Sequence, residues 1–387
     1  MTTPPALPTP VPAPITEAAV ADLIERVQRT RWINNPWADD PARGIPGRTL
    51  DALLEHWGDD YDWRAHESRI RELPWVLTGA EGDTLRSIHQ PSADPSATAV
   101  VLLHGWPDSV LRFERVLPLL GDVHVVVPAL PGFPFSVPVS ATGSASGSAS
   151  GSAPGGEAMS VERIADVVAA ALAELGYERY VVSGGDVGGM VAEVLAAKHP
   201  DRVAALHLTN VAPAHAATVD IATVPADVAA YLRGVGQWRQ GEAGFIAEQA
   251  TRPSTLIASL GDSPAGLLAW VGEKLLAWSD GAGAGRDVPA FSPDELLTWV
   301  SAYWFSGTIG TSFSTYVEPA VLPAHIDAPT VVSAFANDII PAPRSFAELF
   351  VDVREFIEHS DGGHFAAWER PEAYAADLRR AVELSRS

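Results

Sequence analysis

Apolar positions along the chain follow two alternating rhythms. Short, almost continuous apolar runs recur at Ala99–Leu103, Val123–Pro128, Tyr180–Ser183, Ala204–Leu208, Thr330–Phe335 and Glu355–Glu358. Between them lie stretches with apolar residues at helical spacing, such as Val161–Leu175. Strands without polar alternation are covered on both faces, so this pattern predicts a mostly parallel sheet with helices on either side. Two shorter strand patterns, Trp75–Gly79 and Thr84–His89, flank Ala80-Glu81-Gly82-Asp83 and read as a hairpin. Ahead of them Ala19, Leu23, Ile24 and Val27 predict a helix from Thr16 to about Trp32, opened by Thr16 with Glu17 in its first turn.

Between the fourth and fifth of the six runs lies a long segment, Pro213 to Pro319. It has helical periodicity (Leu267, Leu268, Val271, Leu275), many aromatics and no strand pattern. An insertion at that point of a doubly wound sheet falls over the carboxyl ends of the strands, where such sheets bind ligands, so a helical cap is expected. Gly143–Gly156 repeats Gly, Ser and Ala and is expected to be a flexible loop. The division expected is a proline-rich disordered lead over 1–15, an N-terminal segment over 16–90 that merges into the sheet, core over 91–212, cap over 213–319 and core again over 320–387.

Composition narrows the function. The 387 residues are 47% hydrophobic and 19% charged, with a formal net charge of −22. Such acidity repels nucleic acid and anionic membranes, so neither is an expected partner, and it serves solubility. There is no cysteine, which excludes disulfides and thiolate chemistry. The first fifteen residues lack the basic and apolar regions of a signal peptide, and no apolar run approaches the roughly 20 residues of a membrane span. The expected address is the cytoplasm. No His-x-x-x-His or comparable ligand pair appears, so neither a metal nor another cofactor is expected.

The densest chemical signal is Gly184-Gly185-Asp186-Val187-Gly188-Gly189, between an apolar strand and a helix expected to begin near Met190. A nucleophile elbow needs small residues two before and two and three after the nucleophile, because strand and helix backbones approach so closely there; Gly184, Gly188 and Gly189 occupy those places. A phosphate-binding turn would want Gly-x-Gly-x-x-Gly, and here Asp186 puts an anion where the phosphate would sit. In an elbow fold the acid and the histidine follow the nucleophile in chain order. Asp338 and His364 stand in loops after the last two apolar runs, where a triad would assemble. His104-Gly105-Trp106-Pro107 follows the first run; the Trp106 amide, paired with that of Val187, is the candidate oxyanion hole, and Trp106–Pro107 is a candidate cis bond.

These residues are similar to those of the microsomal-type epoxide hydrolases in the α/β-hydrolase superfamily. The likeness covers nearly everything after residue 15. It rests on Arg29-Thr30-Arg31-Trp32, Asp60-Tyr61-Asp62-Trp63-Arg64, His104-Gly105-Trp106-Pro107, Gly184-Gly185-Asp186, Thr251-Arg252-Pro253 and Gly362-Gly363-His364-Phe365-Ala366-Ala367. The resemblance implies an α/β-hydrolase fold with a helical cap and an N-terminal extension, in a soluble bacterial form without a membrane anchor. It implies hydrolysis of an epoxide by water to a diol.

An aspartate nucleophile fits that chemistry. Attack on saturated carbon by serine would leave an ether, whereas attack by Asp186 leaves an ester that water, activated by His364, cleaves at the carbonyl. Asp338 then orients the imidazole. An opening epoxide needs a proton donor, and the resemblance implies a pair of cap tyrosines. Tyr316 matches one; the other falls at Phe245, a departure that removes one donor. Tyr231 and Tyr303 are further candidates to touch substrate, as is Trp238. With Phe245, Trp270, Trp278, Trp304 and Phe305, Trp238 makes the cap aromatic and suggests a bulky or aromatic epoxide. The alternative is a haloalkane dehalogenase-like enzyme using the same aspartate, although Val187 stands where such enzymes carry a halide-binding tryptophan. A third reading is a non-catalytic binding protein. The N-terminal segment is a candidate contact for a homodimer.

Overall fold

The computed structural model describes residues 9–38, 40–79, 83–137, 159–281, 290–318 and 320–386. Eight strands form one sheet: β1 (Trp75–Thr78), β2 (Leu85–Gln90), β3 (Ala99–Leu103), β4 (His124–Pro128), β5 (Tyr180–Gly184), β6 (Val203–Leu208), β7 (Ile326–Asn337) and β8 (Val351–Gly363). Their spatial order is β1-β2-β4-β3-β5-β6-β7-β8. The pairs β1–β2 and β2–β4 are antiparallel and the rest parallel. Every residue of β3, β4, β5 and β6 is buried, as expected of central parallel strands with helices on both faces. The apolar runs therefore mark the strands, and this is an α/β-hydrolase architecture.

Only Gly185 separates β5 from the helix Asp186–Lys198, which begins at Asp186 itself rather than near Met190. Between β6 and β7 every regular element among the described residues is helical, the longer ones being Ala226–Glu242, Gly244–Thr251, Pro253–Leu260, Pro264–Ala277 and Pro293–Ser306. No helix among the described residues is long and apolar enough to cross a membrane.

The N-terminal helices Glu17–Gln28, Gly47–Asp59 and Trp63–Arg71 pack against this helical insert. Thr16 caps the first by accepting the Ala19 N–H at 3.2 Å. Trp57 Nε1 donates to Ser301 Oγ at 3.1 Å, and the Trp63 ring lies 4.7 Å from that of Phe305. The aromatic N-terminal segment thus braces the insert from behind.

One expectation needs correction. Within the lead taken as disordered, residues 9–15 are held at fixed points: Arg86 donates to the carbonyls of Thr9 and Pro10, Arg71 to that of Pro12 and Arg64 to that of Ile15. The Ile15 N–H donates to Glu67 Oε1 at 2.6 Å. Prolines lack backbone N–H groups but keep their carbonyls, and three arginines bind four carbonyls of this stretch, two of them from prolines. Residues 1–8, the loop expected over Gly143–Gly156 and the hairpin turn at 80–82 lie outside the described residues.

Candidate active site

The elbow is built by crowding. Asp186 has φ of 55°, in the left-handed region that costs a residue with a Cβ about 1–3 kcal/mol. A Cβ on Gly184 would collide with the Gly188 carbonyl, and one on Gly188 with the Leu103 carbonyl. At Gly189 the nearest atom would be 3.7 Å away, an ordinary contact, so the third crowded glycine of the expected pattern is instead Gly185, beneath the Thr209 hydroxyl. Gly105 is a fourth: its Cβ would lie 2.5 Å from Asp186 Oδ1. Position 105 must be bare for the loop after β3 to reach the nucleophile.

That approach divides the Asp186 carboxylate. Oδ1 accepts the Trp106 N–H at 2.9 Å and the Val187 N–H at 2.7 Å. Oδ2 lies 3.7 Å from His364 Nε2, beyond hydrogen-bond reach. The Trp106–Pro107 bond is cis. Burial raises the Asp186 pKa, and the nearby imidazole and the two amides offset this only in part.

His364 Nδ1 pairs with Asp338 Oδ1 at 2.8 Å, and the same oxygen accepts the Ile339 N–H at 2.7 Å. Burial disfavours the imidazolium, but the Asp338 charge and hydrogen bond outweigh it, so the His364 pKa ends above its ordinary 6.5. Asp338 moves the opposite way: burial raises it, and the imidazole pulls it below 3.8 overall. His364 Nε2 is buried and has no hydrogen-bond partner.

The insert closes this side with rings. Phe245 stacks on Trp106 at 5.4 Å and 10°, and Tyr316 meets Trp106 edge-on at 5.9 Å. Trp278 contacts Phe245 at 5.3 Å and His364 at 5.3 Å, and Trp238 touches Phe245 at 6.4 Å. The Tyr316 phenol stays protonated far into alkali, because burial first and the Asp186 charge second raise its pKa well above 10.0.

Of the residues singled out in the sequence, Asp186, His364, Asp338, Trp106, Val187, Tyr316 and Phe245 are brought together, and Trp238 stands behind Phe245. Two others are placed differently. The Tyr303 hydroxyl donates to the Asp108 carbonyl at 3.1 Å and so is already engaged. Tyr231 packs on Phe346 at 4.6 Å, beside a cavity of about 400 Å³ lined by Phe335, Ala336, Pro343 and His359.

Several neighbours escaped the sequence reading. Buried Arg112 bridges Asp108 Oδ2 at 2.6 Å and the His364 carbonyl at 2.5 Å, while Asp108 Oδ1 accepts the Gly105 N–H at 2.7 Å. The oxyanion loop and the histidine loop are thus tied by one guanidinium. Glu369 accepts the N–H groups of Gly363 and Phe365, on either side of His364, at 3.1 and 2.9 Å. Lys274, buried against Glu273 at 2.8 Å, places Nζ 4.9 Å from the Phe245 ring centre.

Comparison with known proteins places this geometry. The family model described as "Epoxide hydrolase N terminus" matches residues 8–113, and one described as "alpha/beta hydrolase fold" matches 98–243. A relative from Stigmatella aurantiaca, whose name assigns it provisionally to the epoxide hydrolases, is 33% identical over 98% of this chain and 86% of its own. Epoxide hydrolase 1 of Sus scrofa is 27% identical over 94% of this chain and 86% of its own. The structure of the Aspergillus niger epoxide hydrolase superposes with a TM-score of 0.83 at 29% identity, covering 98% of this chain and 96% of that one. The juvenile hormone epoxide hydrolase of Bombyx mori gives a TM-score of 0.79 at 25% identity, covering 97% and 93%.

Proposed function

Because the chain belongs to the epoxide hydrolases of the α/β-hydrolase fold, we propose that it opens its epoxide through an ester on Asp186, which His364 then hydrolyses. The division of the Asp186 carboxylate carries this reading. Oδ2, free of amide donors, is the attacking oxygen. Oδ1 becomes the ester carbonyl, already facing the Trp106 and Val187 amides that will hold the oxyanion.

In the first step the Oδ2–carbon bond forms, the ring carbon–oxygen bond breaks, and the electron pair passes to the oxygen. Tyr316 supplies the proton. In the second step His364 Nε2 takes a proton from water and hydroxide adds to the Asp186 carbonyl carbon; the bond from that carbon to Oδ2 then breaks, and the departing oxygen takes the proton of the added hydroxyl as the carboxylate re-forms. The proton on the imidazole finally returns to the Tyr316 phenolate, so the sum is epoxide plus water to diol. Asp338 keeps the imidazole oriented and balances its charge. The insert over 213–319 serves as the cap, the N-terminal segment over 16–90 as its brace, and the ring wall favours a bulky or aromatic epoxide. Val187, placed directly after the nucleophile, offers no indole to a departing halide, so the dehalogenase-like alternative gains nothing.

The test is intact-protein mass spectrometry after adding styrene oxide. His364→Gln should hold a stoichiometric adduct on the peptide containing Asp186, and Asp186→Asn should hold none. His364 must be neutral to act as base, and its Asp338 partner, which the ester leaves in place, favours the charged imidazolium, so lowering the pH through the His364 pKa should slow ester hydrolysis and raise the adduct fraction in the unaltered enzyme. Normal substrate binding by His364→Gln with no adduct would sink the two-step mechanism.

A further inference from the structure

The helix Gly244–Thr251 has two buried residues, Phe245 and Gln249. Four positions apart, they lie on one face of the helix. Phe245 is in the ring wall over the nucleophile, touching Trp106 at 5.4 Å and Tyr316 at 6.2 Å. The same helix packs against Ser314–Val317, the short turn that carries Tyr316. Gln249 is 0% exposed, and among the described residues neither its Nε2 nor its Oε1 has a hydrogen-bond partner. An unpaired buried carboxamide is costly, whereas a leucine in the same place would cost nothing of the kind. Buried carboxamides are nearly always hydrogen-bonded in native proteins, so this one points to a partner that the described residues do not supply.

We propose that Gln249 is a substrate-contacting residue, its carboxamide N–H donating to the epoxide oxygen as the ring opens. The inference rests on the epoxide-opening role of Asp186 and Tyr316 given above. It also answers the shortage at Phe245, which has no hydroxyl, so that Tyr316 otherwise faces the developing alkoxide alone. The two donors divide the task. The phenol transfers its proton to the oxygen as the carbon–oxygen bond breaks. The amide keeps its proton and stabilises the charge that accumulates before transfer is complete. Its carbonyl accepts from the hydroxyl that forms on the opened substrate. Gln249 therefore acts in alkylation and not in ester hydrolysis, whose oxyanion sits on the amides of Trp106 and Val187.

The experiment separates the two steps. Enzyme in excess is mixed with styrene oxide, and formation and decay of the Asp186 adduct are followed by quenched-flow mass spectrometry for the parent, Gln249→Leu and Gln249→Met. Gln249→Leu should form the adduct about a hundredfold more slowly, the usual worth of one oxyanion donor, while the adduct decays at the parent rate. Gln249→Met keeps the length of the side chain but carries no N–H donor, and should be slowed as much. It gives the answer alone if Gln249→Leu does not fold. Adduct formation within twofold of the parent in either folded variant overturns the proposal, as does equal slowing of formation and decay. Failure of the parent itself to form an adduct on Asp186 would instead bring down the underlying reading, and this inference with it.

Discussion

The two halves of the site are held by different kinds of contact. Around Asp186 the restraints are backbone: a left-handed φ, two amide donors on Oδ1, and a histidine loop tied through its carbonyl and flanking N–H groups by Arg112 and Glu369. Around Tyr316 the contacts are between rings, and among the described residues neither Trp106 Nε1 nor the carboxamide of Gln249, on the helix packed against the Tyr316 turn, has a hydrogen-bond partner. Backbone restraints admit one residue type per position, because one Cβ in the wrong place is a collision. Ring packing admits several, provided volume is conserved. The core half is therefore fixed by sterics, and the insert half is where a phenylalanine can stand in place of the second tyrosine that the resemblance implies.

The strongest way to break that contrast is at the elbow. Gly188→Ala drives a methyl into the Leu103 carbonyl. It should cost about 3 kcal/mol of stability or more, at the upper end for a single substitution, and should abolish adduct formation. Gly189→Ala, with 3.7 Å of clearance inside a helix, should leave activity intact and gain up to about 1 kcal/mol from helix propensity. Denaturant unfolding and single-turnover alkylation check both. An active Gly188→Ala enzyme would show that the core half is not sterically fixed.

The same contrast explains what could be read in the sequence. The four central strands stand out because both faces are buried, which leaves no polar positions to confuse the pattern. β8 is an edge strand whose burial falters along most of its length, so only Glu355–Glu358 of Val351–Gly363 reads as strand. The elbow and the loops carrying Asp338 and His364 announce themselves because their backbone demands particular residues. Asp108 and Arg112 do not: at four residues apart they read as an ordinary surface pair, and only tertiary packing buries them. Tyr231, Tyr303 and Tyr316 all lie in aromatic helical stretches, and nothing in those stretches says which hydroxyl is free.

Tyr316→Phe probes the insert half directly. It removes the phenol that burial and the Asp186 charge keep protonated, and should slow alkylation by about a hundredfold to ten-thousandfold, the range for a positioned general acid. Stability should barely change, since no hydrogen bond engages the Tyr316 hydroxyl among the described residues. Single-turnover alkylation is the measurement, because ester hydrolysis or product release can mask the loss in steady state. A variant that alkylates at the parent rate would remove Tyr316 as the acid. Neither Tyr303, whose hydroxyl is held by the Asp108 carbonyl, nor Tyr231, packed on Phe346, stands where it would replace it.

Phe245→Tyr should have the smallest effect, and its sign is informative. The ring is 7% exposed, stacked on Trp106, with the Lys274 ammonium 4.9 Å from its centre. A hydroxyl added there must find a partner, because burying it unpaired costs about 1–3 kcal/mol. In the free enzyme Gln249, one turn along the same face, is the nearest unpaired amide on that helix. If the new phenol donates to Gln249 Oε1, the variant gains stability while the amide N–H stays free, and alkylation stays within a few-fold of the parent. If the hydroxyl instead reaches the epoxide oxygen, one neutral hydrogen bond worth about 1 kcal/mol gives a gain of roughly fivefold. Combining Phe245→Tyr with Gln249→Leu separates these cases: the first predicts that the new phenol becomes unpaired and thermal stability falls, the second that it restores part of the lost alkylation rate. A gain beyond a hundredfold from Phe245→Tyr alone would mean that the insert half is as exacting as the core, and the contrast between them would not stand.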